Sequence, residues 1–261
     1  MAEVFQLDAI VVIGGDGSFR GARALAREGV NVIGIPATID NDISSTDYTI
    51  GFDTALNTVK DAIDKIKDTA YSHERCSVVE VMGRNCGWLA LEGGLSGGAD
   101  IILLPEIPYD INKVMQAIEE RDRRGSRFTI LAVAEGAISK EDAKLSKKEL
   151  KEKMKNRKYP SVSYEVADMI AKKSGREVRV TVPGHTQRGG SPCPYDRVFA
   201  SRLGSEAGKL ILKGEYGFMV GIKNREIIKV PLEEVAGKLK MVSPDASIVK
   251  EAKMLGISFG D

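Results

Sequence analysis

Three short stretches of this 261-residue chain collect the residue types that chemistry requires. In the first, Ile13-Gly-Gly-Asp-Gly-Ser18, Gly14, Gly15 and Gly17 surround one carboxylate, Asp16. Glycines let a backbone approach a ligand with no Cβ in the way. Free amides at a helix start suit phosphate oxygens. Asp16 would repel a bare phosphate, so it makes sense with a divalent cation such as Mg²⁺ between the two; a ligand-free strand-to-helix turn is the plain alternative. The second stretch, Pro36-Ala-Thr-Ile-Asp-Asn-Asp42, sets two carboxylates beside a hydroxyl. In an extended segment Asp40 and Asp42 share one side and Asn41 faces away. One carboxylate could take a proton from a hydroxyl nucleophile while the other helps hold Mg²⁺. A polar Asx turn would use the same residues for backbone reasons alone. The third, Gly184-His-Thr-Gln-Arg-Gly-Gly-Ser-Pro192, offers His185 and Arg188 to a phosphate, the arginine as a bidentate fork. A structural hydrogen bond would suit His185 equally well. Arg84, in Met82-Gly-Arg-Asn-Cys-Gly87, is an anion ligand or a surface arginine.

Strands and helices must position these stretches. Ile10–Ile13 reads as a buried parallel strand. Ser18 can cap a helix with Phe19, Ala22, Leu25 and Ala26 on its apolar face. Residues 31–36 form a second strand, so the acidic cluster lies at a strand's carboxyl end, where α/β proteins bind ligands. Further on, helical spacing (52–69, 114–123, 162–173, 195–212) alternates with strand-like runs (76–81, 101–105, 128–134, 176–183). A closing pair, 218–222 and 226–230, is joined through Lys223-Asn224-Arg225. Such alternation predicts parallel α/β sheets, two of them. Residues 139–158 break the pattern with nine basic and four acidic residues, predicting a solvated helical or mobile insertion. A net charge of +1 and 29% charged residues give no global field for nucleic acid or membrane. With no long uncharged apolar run and no leader-like start, the expected location is cytoplasmic. The three cysteines have no metal-like spacing and are expected to be reduced packing thiols.

In combination and order, IGGDGS, PATIDND, HER (73–75), EVMGR (80–84), AEG (134–136) and GHTQRGGSP resemble bacterial ATP-dependent 6-phosphofructokinases, from about Leu7 to Asn224. The resemblance implies an α/β fold of two Rossmann-like lobes with mainly parallel sheets and flanking helices. Residues 1–51 with 188–240 would form a nucleotide lobe. Residues 52–187 with 241–261 would form a sugar-phosphate lobe carrying the charged insertion. The implied reaction moves a phosphoryl group from MgATP to the 1-hydroxyl of fructose 6-phosphate, in glycolysis. Asp40 would be the base, supported by Thr38 and Asp42. Gly15, Gly17 and Ser18 would cradle the ATP phosphates, and Asp16 would serve Mg²⁺. Met82, Gly83, Arg84 and Glu135 match sugar-contacting positions. Arg75, Arg179, His185 and Arg188 match the 6-phosphate pocket, the first two reaching in from a neighbouring subunit of a homo-oligomer, a tetramer in the family.

Small uncharged Gly17 and Ala37 favour ATP, since pyrophosphate-dependent relatives carry Asp and Lys there. ADP or phosphoenolpyruvate would be the effector. Lys67, Gly98, Asp100 and Arg124 match effector positions, whereas Ser126 and Phe128 are altered. The resemblance also implies an N-terminal part of the first lobe that this chain lacks, with a second glycine turn and an arginine on the transferring phosphate. Loss of such an arginine costs about 10³–10⁵ in rate, so the chain alone could be inactive. The missing part would also leave sheet edges exposed. The alternatives are a pyrophosphate-dependent or NAD-kinase-like enzyme, or a non-catalytic ligand-binding polypeptide.

Overall fold

The computed structural model describes residues 5–261, so the first four residues of the expected nucleotide lobe lie outside it. In chain order the first elements are β1 (Ile10–Gly14), α1 (Asp16–Arg27), β2 (Val32–Pro36), α2 (Phe52–His73), β3 (Cys76–Val81), α3 (Trp88–Gly97) and β4 (Ile101–Leu103). There follow α4 (Ile111–Arg123), β5 (Thr129–Ala134), α5 (Lys147–Lys155), α6 (Val162–Ser174) and β6 (Val178–Thr181). The chain closes with α7 (Pro194–Leu212), β7 (Phe218–Lys223), β8 (Glu226–Pro231), α8 (Leu232–Val235) and α9 (Ser247–Met254). These elements gather into two compact units, one of residues up to Thr54 with Ser191–Lys240, the other of Ala55–Gly190 with Met241–Asp261.

The first unit holds a sheet in the order β1-β2-β7-β8. Its first three strands are parallel, and β8 returns antiparallel to β7. Asn224 and Arg225, both at positive φ, make the tight reversal that twisted hairpins favour. One sheet face packs Val32, Met219 and Val230 against Phe19, Ala22 and Leu232. The other packs Ile33, Ile35, Val220 and Ile222 against Phe199, Leu203 and Leu210 of α7. Among the described residues β1 is an edge strand: Val12 joins the first core, whereas Ile13 is 63% exposed and Val11 38% exposed. Burying a Val or Ile side chain contributes about 1.5–3 kcal/mol, and these two forgo much of that gain.

The second unit holds an all-parallel sheet, β4-β5-β3-β6. Its central strands β3 and β5 read CSVVEV and TILAVA and are buried almost throughout, as parallel strands covered on both faces must be. Val114 and Ile118 of α4 pack with Val166 and Ile170 of α6 over Val78, Leu131 and Val133. The charged insertion contains α5, which buries no residue and rests on local signals. Ser146 and Glu149 form a capping box at its start. No helix among the described residues is long and apolar enough to cross a membrane.

Candidate functional site

The glycine turn follows β1. The helix begins three residues earlier than expected, with Gly15 rather than Ser18 at its N-cap position, and Ser18 lies inside the first turn without capping it. Asp16 explains the shift, since a carboxylate in the first turn is favoured by the helix dipole. A Cβ on Gly14 would fall 2.3 Å from the Ser18 hydroxyl, so that glycine is required by packing. A Cβ on Gly17 would meet nothing within 4 Å, so its side is open. Asp16 Oδ1 accepts from the Gly237 amide at 2.7 Å, and Oδ2 pairs with Arg20 at 2.7 Å. The Arg20 side chain is 58% exposed, and exposed pairs of this kind contribute under about 1 kcal/mol. Oδ2 is therefore readily surrendered to a dication. Among the described residues no three His, Cys, Asp or Glu side chains gather as an ion site. One carboxylate suffices for Mg²⁺ carried in with phosphates.

The acidic turn follows β2, and the parallel register pairs Gly14 with Pro36, which sets the two turns side by side. The Ala37 amide donates to Gly14 O at 3.0 Å. Residues 38–49 form a loop whose ends close where Ala37 bridges Ile50. The expected extended geometry is not what forms. Asn41 has φ +49°, which breaks the strand alternation, and it is buried at 2% exposure. Its Nδ2 donates to Asp47 O at 3.2 Å, and its Oδ1 accepts from Thr49 Oγ1 at 3.4 Å and Lys240 Nζ at 3.1 Å. Asp40 lies beside this anchor, 9% exposed, with its amide donating to Thr38 Oγ1 at 3.2 Å. The Asp42 carbonyl accepts from the Lys240 amide at 2.8 Å. The loop is also tied to β7, since the Asp47 amide donates to Ile222 O at 2.8 Å and the Ile222 amide to Thr46 Oγ1 at 3.1 Å.

In the second unit, Met82, Gly83 and Arg84 follow β3. Gly83 at φ +136° and Arg84 at φ +52° fold the turn so that both amides donate to Glu135 Oε1, at 3.1 and 2.6 Å. The Met82 amide donates to Oε1 of buried Gln187 at 3.0 Å. His185 and Arg188 lie exposed in the 3₁₀ turn Gly184–Arg188 after β6. These residues share the carboxyl end of the parallel strands. Arg75 and Arg179 do not join them. Arg75 precedes β3, Arg179 is registered against Ser77, and both pair with Glu177. Seven residues of extended chain separate Arg75 from Met82, about 23 Å.

Sequence reasoning missed Gln187, Thr49, Asn41 as a buried anchor, and Lys240. Gln187 stood inside a recognised stretch. Lys240 lay some 200 positions from the loop it holds and carried no local signal.

Parallel strands flanked by helices, with polar turns at the strands' carboxyl ends, define an α/β protein of the doubly wound class. Comparison narrows the class. The family model described as phosphofructokinase matches residues 2–211, and the chain belongs to that family. The ATP-dependent 6-phosphofructokinase of Spirochaeta thermophila is 48% identical over 98% of this chain and 70% of its own length. That of Chloroflexus aurantiacus is 46% identical over 99% of this chain and 71% of its own. Among solved structures, phosphofructokinase from Saccharomyces cerevisiae superposes with a TM-score of 0.72 at 36% identity, over 87% of this chain and 32% of that one. A pyrophosphate-dependent phosphofructokinase from Nitrosospira multiformis has a TM-score of 0.82 at 20% identity, over 100% and 70%, and bears on the fold alone.

Proposed function

We propose that this chain transfers the terminal phosphoryl group of ATP to the 1-hydroxyl of fructose 6-phosphate, giving fructose 1,6-bisphosphate and ADP. The observation that carries the reading is the Gly14–Pro36 register, which brings a glycine turn and an acidic turn together at one end of a parallel sheet. Family membership and the names of the two bacterial relatives support the substrates. Asp40 takes the hydroxyl proton as the sugar oxygen attacks phosphorus and the bond to the ADP oxygen breaks. Thr38 and Asp42 support it. Backbone amides at Gly15, Gly17 and Ser18 receive the phosphates at the start of α1. Asp16 would hold Mg²⁺, which when bound supplies charge neutralisation to the phosphates. The open side of Gly17 and the small Ala37 favour ATP over pyrophosphate, because a carboxylate and a lysine there would suit the shorter donor.

The second unit, by this reading, receives the sugar phosphate. Glu135 holds the Gly83–Arg84 turn, while Met82 and Arg84 face the sugar and His185 and Arg188 take the 6-phosphate. Arg75 and Arg179, at the strands' opposite end, serve the site of a neighbouring copy, and the working form is a homo-oligomer of cytoplasmic type.

The test is ADP release by the purified chain with Mg²⁺, ATP and fructose 6-phosphate, with pyrophosphate as the competing donor. Sugar-dependent ADP release supports the proposal, and phosphate release with pyrophosphate alone overturns the donor. Sugar binding in calorimetry without turnover would make the chain a ligand-binding polypeptide. Asp40→Asn is expected to lower kcat by about 10²–10⁴ with fructose 6-phosphate affinity preserved. Undiminished turnover would remove Asp40 as the base.

A further inference from the structure

Lys240 reaches back across the first unit with an unusual economy of contacts. Its ammonium donates to Asn41 Oδ1 at 3.1 Å, Thr46 O at 3.0 Å and Asp47 O at 2.7 Å. A lysine has three donors, and these oxygens all belong to the one loop that carries Asp40 and Asp42. The Lys240 backbone adds a fourth tie to that loop, donating to Asp42 O at 2.8 Å, and Leu239 bridges Ile43 beside it. Three residues earlier, the Gly237 amide holds Asp16 at 2.7 Å. The strap Gly237–Lys240 thus touches both the glycine turn and the acidic turn.

The loop needs such an anchor. Asn41 is held at positive φ, a conformation that asparagine tolerates better than most residues but that its surroundings must still select. The loop also carries three carboxylates, Asp40, Asp42 and Asp47, within eight residues, and a concentration of like charge gains from a neighbouring cation. A lysine ammonium meets both needs, giving the loop three donors and a positive charge, and an apolar side chain of similar length would supply neither.

We propose that Lys240 is a positioning residue for phosphoryl transfer: its ammonium locks the Asp40–Asp47 loop in the shape that presents the base. This role rests on the reading of Asp40 given above. It acts through the loop, so substrate affinity should change little while the chemical step slows.

Two measurements on Lys240→Met and Lys240→Arg test it. Hydrogen exchange on the unliganded chain reads the loop directly and needs no substrate. In Lys240→Met, amides of residues 40–47 are expected to exchange at least about 10-fold faster, while β3 and β5 keep their protection. Steady-state kinetics should then show kcat down about 10–100-fold, the scale of a small displacement of a catalytic group, with KM for MgATP and fructose 6-phosphate within about threefold. Lys240→Arg, which keeps the charge, should recover much of both. Should Lys240→Met not fold, Lys240→Gln carries the same readouts. Unchanged exchange in the loop overturns the anchoring, and faster exchange with undiminished kcat overturns the positioning role. A wild-type chain with no turnover would instead sink the reading of the site, while loop exchange still decides the anchor.

Discussion

Asp40 and Cys76 are both shut away from water, and the surroundings treat them differently. Asp40 sits in a loop stitched by donors from Lys240, Thr49 and the Ile222 amide of β7, which keeps a carboxylate in place at a strand end. Cys76 opens β3 in the apolar core of the second unit, and burial above all pushes its thiol up to about 12. In the unfolded chain that thiol ionises near its ordinary value. The folded value is raised, so the stability due to the neutral thiol is intact below the unfolded pKa and declines as pH climbs toward about 12. Replacing it should therefore flatten the alkaline side of the stability curve. In urea titrations the stability gap between wild type and Cys76→Ala is expected to narrow from pH 9 to pH 11, by at most about 1.4 kcal/mol per pH unit. A constant gap would mean that the thiol is not held neutral by burial. At this scale the sequence singled out three carboxylates and concealed how they are held. Asp16, Asp40 and Asp42 announce themselves by their neighbours. The positive φ of Asn41 and the reach of Lys240 depend on contacts made only after the sheet has formed.

Among the elements, those with strong local signals were legible and those set by partners were not. The β7–β8 reversal follows from Asn224 and Arg225, and the charged run, expected to be helical or mobile, forms α5 behind a capping box that the sequence reading did not single out. The expected start of α1 was off because Ser18 and Gly15 are both acceptable caps, and Asp16 decides between them. The alternating exposure of β1 could not be read from the apolar run Ile10–Ile13, because sequence does not say which strand lies at an edge. That edge has a cost. Ile13, 63% exposed on a strand that among the described residues pairs on one side only, invites pairing with another chain. A charge at such a position is the usual protection. Ile13→Lys is expected to raise the concentration at which the chain stays monodisperse in light scattering, with the far-UV circular dichroism unaltered. Equal self-association in both proteins would acquit the edge.

At the scale of the whole molecule, each unit has its own sheet and its own apolar core. The alternation of strands and helices was enough to foresee two sheets, but not the strand orders, which depend on long-range pairings. Trp88, the only tryptophan, belongs to the second unit and reports on that unit alone. In urea, its fluorescence and the far-UV signal of the whole chain are expected to give transitions with different midpoints, the mark of departure from two-state unfolding. Coincident curves would mean that the two cores melt as a single cooperative block.

The order in which the chain visits its units has a consequence for synthesis. β2 is complete at Pro36, yet its second neighbour, β7, begins only at Phe218. A ribosome adding about 5–20 residues per second takes roughly 10–40 s to cover that interval. Throughout it, β1 and β2 have emerged with one flank of their sheet unmade, while the four strands of the other unit are completed between them and their partner. Whatever shelters the nascent chain in that window must shelter Ile33 and Ile35, which later disappear beneath α7.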